Sequence, residues 1–201
     1  RRTGLRVQPF KVGPDFLDPM HHRAACGTAC VNLDGWMMGR AACVSAFHKA
    51  CTASQADFAV IEGVMGLHDG LDGATDMGST AQMAKWLGAP VLLVVDAWCL
   101  ARSAAAMVHG YKSFDPDVQL QGVLFNRVSS TSHLAWLKEA IQSCAATRDV
   151  HVVGRLPKDE RVGLPERLLG LVPPTCSAAP TDSGSGTGAT GAGASSPLAG
   201  E

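Results

Sequence analysis

The chain has 201 residues, of which 46% are apolar and 17% charged, and its formal net charge is −1. That length bounds the answer to one domain with at most a small second one. The near-neutral charge, without a Lys/Arg cluster, excludes a nucleic-acid footprint, and the absence of any run of about 18 apolar residues predicts no membrane span.

Residues 5–10 read as a first strand. A helical pattern over 40–52 follows, then the apolar run FAVIE at 58–62. Residues 79–87 predict a helix with Ser79 or Thr80 as N-cap and Gly88 as its stop. The clearest strand is VLLVVD at 91–96. It is followed by a helix over 101–111, a strand at 122–126 (GVLFN), a helix over 133–145 capped by Ser132, and a strand at 150–153. Continuous apolar runs of this kind suit parallel strands buried on both faces. Their alternation with helices predicts an α/β fold: a three-layer, mostly parallel sheet with helices on both faces and right-handed connections. From about residue 175 the chain turns to Gly, Ser, Ala, Thr and Pro. The expected division is therefore a domain over 1–174 and a disordered tail or linker over 175–201.

The seven cysteines are odd in number and form no C-x-x-C. They argue for reduced thiols in an intracellular, cytoplasmic setting rather than a secreted disulfide framework. The sequence opens on Arg1 rather than Met, so the expectation is a chain that begins inside a domain, with any organellar targeting segment upstream.

In a parallel α/β sheet, ligands bind beyond the carboxyl ends of the strands. After the first strand comes Lys11-Val12-Gly13-Pro14-Asp15-Phe16-Leu17-Asp18-Pro19. A lysine there suits phosphate oxygens, and Mg²⁺ takes one or two carboxylates plus water and substrate phosphates; a surface turn with Asp as turn residues is the alternative. Glu62 closes the FAVIE strand, where a carboxylate is costly unless it is paired or binds a cation. Asp69, Asp72 and Asp76 follow in the same Gly-rich loop. Asp96 ends the next strand, with a capping role equally open. Asn126-Arg127 ends another, and the Asn amide suits a purine edge or the closure of a turn. His21, His22, Cys26 and Cys30 match no standard zinc spacing. Trp36, Met37 and Met38 are expected to be packing residues.

The segments KVGPDFLDPMHH, VNLDGWMMG, VIEGVMGLHDG, GSTAQMAKWLGAPVLLVVDA, LQGVLFNRV and LPERLLGLVPP, in this order, resemble the cobyrinic acid a,c-diamide synthase family. That family lies within a wider group containing dethiobiotin synthetase and the MinD and ParA ATPases, and the resemblance covers residues 4–174. It implies a P-loop NTPase-like domain using ATP and Mg²⁺. The implied activity is amidation of the a and c carboxylates of cobyrinic acid, a corrinoid, through acyl phosphates, with ammonia from a glutaminase domain. By the matching motifs, Glu62 and Asp15 would hold Mg²⁺. Asp15, Asp18, Asp69 and Lys11 would serve the reacting carboxylate, Lys11 also facing the phosphates. Asn126 and Arg127 would contact the nucleotide, and Phe16 and Leu17 the corrin.

The chain departs from the family in two ways. It has no G-x-x-x-x-G-K-[S/T], so the first strand and phosphate loop are missing and a hole in the sheet is expected. No glutaminase segment follows residue 174, so the chain alone is expected to be inactive. A homodimer is a further expectation. A related tetrapyrrole or cobyric acid amide synthase, a MinD/ParA-like binding module and an inactive remnant stay open as alternatives.

Overall fold

A computed structural model describes residues 4–159, together with the backbone of 166–167 and 170–171. The elements run β1 (Val7–Val12), α1 (Asp18–Cys26), β2 (Val31–Leu33), α2 (Gly35–Ala53), β3 (Phe58–Glu62), α3 (Thr80–Leu87), β4 (Val91–Asp96), α4 (Ser103–Phe114), β5 (Leu120–Asn126), α5 (Thr131–Ser143), β6 (His151–Arg155), β7 (Glu166–Arg167) and β8 (Gly170–Leu171). The fold is α/β and P-loop NTPase-like, with parallel strands flanked by helices. The tail expected over 175–201 lies outside the described residues.

The strands form two parallel three-stranded sheets, ordered β2-β1-β3 and β4-β5-β6, with a small antiparallel β7-β8 pair. β3 and β4 are thus edges, and their side chains show it: Phe58, Val60, Leu92 and Val94 are all exposed. The hole expected in the sheet is present as this break. Each sheet has its own core. Phe10, Val12, Leu33, Cys43 and Met83 form one; Val95, Val108, Val123, Phe125, Leu137 and Ile141 anchor the other. α3 reaches both, since Ala81 packs in the second core and Met83 in the first.

Local chemistry explains the helix starts. Ser79 accepts from Gln82 N and Gly88 turns left-handed at φ 59°, so α3 begins and stops as its sequence predicts. α5 starts two residues earlier than expected, because Ser130 rather than Ser132 is the cap, accepting from His133 N. β1 also differs from expectation. It runs to Val12 because Lys11 pairs with Asn32 on one side and Glu62 on the other, so Lys11 sits inside the strand rather than past it. α1 and β2 complete the first half; buried Gln8 ties β2's approach to β1 by donating to Ala29 O at 2.8 Å.

Candidate functional site

The carboxyl ends of β1 and β3 bring Lys11 and Glu62 side by side, because they are register partners. Lys11 is 5% exposed. Its Nζ lies 2.8 Å from Asp18 Oδ2 and 3.5 Å from Glu62 Oε2, and donates to Gly63 O at 3.0 Å. His22, one turn along α1 from Asp18, meets the same Glu62 oxygen, Oε2, through its Nε2. Burial by itself would lower the Lys11 pKa; the Asp18 hydrogen bond and the charges of Glu62, Asp18 and Asp15 outweigh it and hold the ammonium above its ordinary value. The Lys11 hydrogen bond in turn holds the Asp18 carboxyl below the usual carboxylate range.

Asp15 takes a different part from Asp18. Its Oδ1 accepts from Leu17 N at 2.8 Å and Asp18 N at 3.2 Å, which turns the chain into α1. Asp69 likewise accepts from Gly66 N at 2.9 Å, closing the loop after β3. Of the two residues expected to face the substrate, Phe16 is 72% exposed, whereas Leu17 is buried at 5% and faces the core. The expectation that Trp36, Met37 and Met38 pack internally is overturned. Trp36 is 64% and Met37 67% exposed, because Gly39 at φ 71° breaks the helix and leaves residues 35–38 as a separate turn.

At the carboxyl ends of β4 and β5, Arg127 forms a bidentate pair with Asp96 through Nε and Nη2. The Arg127 guanidinium and the Lys158 ammonium both lie over Trp98, at 5.8 Å and 5.2 Å from its centroid. Asp96 also accepts from Trp98 N, so its role here is to fix this corner. Asn126 Oδ1 accepts from Arg127 N, which leaves its amide NH₂ unused by that bond. Trp98 and Lys158 were not singled out by the sequence, and His22 was weighed there only as a zinc ligand; their partners lie far along the chain, and a Trp two residues past a strand-ending Asp is the one local hint. Three non-glycine residues just past strand ends adopt left-handed backbone: Met65, Cys99 and Arg127, at φ 52°, 58° and 55°. Strain of this kind concentrates where ligands are held. A hollow of about 340 Å³ lined by His68, Met107, Tyr111 and Phe114 includes none of these site residues.

The cation that this cluster of oxygens holds is Lys11 itself. Asp18, Glu62 and the Gly63 carbonyl already surround the Lys11 ammonium with oxygen. Among the described residues no cluster of three or more His, Cys, Asp or Glu is placed to hold a metal unaided; Mg²⁺ requires only one or two carboxylates when phosphates and water complete its shell.

The family model described as "AAA domain" matches residues 37–166. The chain is 53% identical over 172 residues to the cobyrinate a,c-diamide synthase of Syntrophotalea carbinolica, covering 86% of this chain and 36% of the relative. It is 48% identical over 173 residues to that of Listeria monocytogenes, covering 86% and 37%. The Methanosarcina acetivorans synthase is 45% identical over 171 residues, covering 85% and 34%. The chain thus spans about a third of the length of these relatives. No solved structure matches.

Proposed function

The chain belongs to the AAA domain family, and from that membership, which implies nucleotide binding, we propose that it forms the carboxylate-activating part of an ATP-dependent cobyrinate a,c-diamide synthase. The observation that carries the reading is the Lys11 cluster: one buried ammonium held by Asp18, Glu62 and Gly63 O at a strand end.

A carboxylate is a poor electrophile. Its oxygen attacks the γ-phosphorus of ATP, ADP leaves, and the acyl phosphate then loses phosphate to ammonia, which gives up a proton to become the amide. Such phosphoryl transfer is served mainly by positioning and charge neutralisation. Mg²⁺ would be held by Glu62 and Asp15 and would neutralise phosphate charge. Lys11, kept protonated by its carboxylate neighbours, pairs with an incoming carboxylate or phosphate oxygen. Asp18 and His22 hold Lys11 and Glu62 in place. Asp69 shapes the loop after β3, and Asn126 with Arg127 offers the nucleotide edge. The names of the relatives support a corrinoid substrate, and a glutaminase domain supplying the ammonia is part of the same proposal.

A chimera tests this. The matched 172 residues of the S. carbinolica relative are replaced by those of this chain, and ADP release is measured with ammonium as nitrogen donor. Release that depends on cobyrinic acid and is lost in Lys11→Met is expected. A folded chimera whose ADP release ignores the acid would sink the synthase reading in favour of a partner-driven ATPase.

A further inference from the structure

His133 is half-buried at the start of α5, and both of its ring nitrogens are engaged. Nε2 lies 2.6 Å from Leu100 O, in the loop after β4. A carbonyl only accepts, so Nε2 carries the proton. Nδ1 lies 3.1 Å from Ser129 Oγ and accepts from Ser129 N at 3.3 Å, in the turn after β5. A backbone N–H only donates, so Nδ1 is bare. These partners leave the ring one state, the neutral imidazole with its proton on Nε2.

The two partners belong to two neighbouring loops. β4 and β5 are adjacent and parallel with Asp96 opposite Asn126, so the loops that follow them leave side by side. Close to the strands they are tied by Ala97 N, which donates to Asn126 O at 2.9 Å, and by the Arg127 pair with Asp96. Each loop then passes through a left-handed residue that is not glycine, Cys99 at φ 58° and Arg127 at φ 55°. Such conformations persist where the surrounding structure holds them. Leu100 directly follows Cys99, and Ser129 lies two residues past Arg127. The imidazole therefore grips each loop just beyond its strained residue. His133 is itself fixed by Ser130, whose Oγ accepts from His133 N at 3.0 Å, and Leu134 beside it packs against the second core.

We propose that His133 is a positioning residue for the nucleotide edge: one imidazole, through Nε2 and Nδ1, sets the loop carrying Trp98 against the turn carrying Asn126 and Arg127. This rests on the nucleotide edge proposed above and adds the group that fixes it. His133 acts through Leu100 and Ser129. A corner that is already ordered loses less freedom when a ligand binds. The clasp therefore bears on affinity for ATP rather than on the chemical step.

The experiment has two readouts. In the chain itself, long-range proton–nitrogen NMR spectra of the His133 ring should show a protonated Nε2 and a bare Nδ1, and His133→Ala should shift the Trp98 indole and Arg127 amide signals. In the chimera described above, His133→Ala should raise KM for ATP about tenfold, the worth of the lost hydrogen bonds, with kcat within about twofold. His133→Gln keeps a donor for Leu100 O and should hold the rise in KM to about threefold. Thr147→Val is the control for a purely structural effect. It removes a buried hydrogen bond from Thr147 Oγ1 to Ile141 O, 2.8 Å long, near the other end of α5, and should lower the melting temperature without changing KM. Equal rises in KM for Thr147→Val and His133→Ala overturn the positioning role. So does a protonated Nδ1, and so do Trp98 and Arg127 signals that His133→Ala leaves unmoved, whether or not the chimera turns over. Asn126→Ala separates the clasp from the reading beneath it. If Asn126→Ala raises KM for ATP and His133→Ala does not, His133 positions nothing and the nucleotide edge stands. If neither raises it, both fall together.

Discussion

Lys11 carries a charge that burial opposes and its neighbours require. Asp18 and Lys11 therefore couple stability to pH in opposite senses. A carboxyl whose folded pKa is depressed contributes stability above its unfolded pKa, about 3.9, and that contribution is lost as pH falls through the folded value. A lysine whose folded pKa is raised contributes below about 10.4 and loses the contribution as pH rises through the folded value. Asp18→Asn is expected to lower stability at pH 7 by about 1 kcal/mol, an ion-pair value already reduced for solvent screening. In urea titrations the gap between wild type and variant should close below about pH 3. A gap unchanged down to pH 2 would mean that the pair does not hold the carboxyl ionised. At this scale Glu62 was legible, because a carboxylate ending an apolar run needs a cation wherever the chain goes. His22 was not, because its partner lies 40 positions away and leaves no local pattern.

Among the elements, the turn after β2 depends most on one side chain. Asp34 satisfies two amides that would otherwise lack partners at the start of α2. Asp34→Ala should cost about 1 kcal/mol, with Asp34→Asn nearly neutral, read by thermal melts. Equal losses in both variants would show that the charge, not the cap, matters. β3, β4 and β5 were legible because unbroken apolar runs bounded by Gly or Pro admit few alternatives. α1 and β2 were missed for physical reasons. α1 buries no residue fully, so it has no apolar stripe, and β2 has three residues, too few for any period to emerge. Lys11 was placed past its strand because pairing on both sides, which sequence does not reveal, extends β1.

For the whole molecule, the break between the sheets is decisive. Two cores with no strand pairing between them meet through α3 and the loop before it. Native-state hydrogen exchange is expected to give β1–β3 amides one opening free energy and β4–β6 amides another, since cooperative units follow packed cores. A single shared value and denaturant slope across all six strands would show one cooperative unit. The α/β class was readable from the order of elements, whereas the hole was expected only from the missing G-x-x-x-x-G-K-[S/T] of the family that the chain resembles.

The left-handed residues past β3, β4 and β5 have a consequence of their own. Met65, Cys99 and Arg127 each hold a backbone conformation that a glycine would adopt without strain, at about 1 kcal/mol less. Met65 presents an exposed side chain and Arg127 pairs with Asp96, so the substitutions that would relax the backbone also remove these groups. Selection for a hardier protein and selection for a better-equipped one therefore pull these corners in opposite directions.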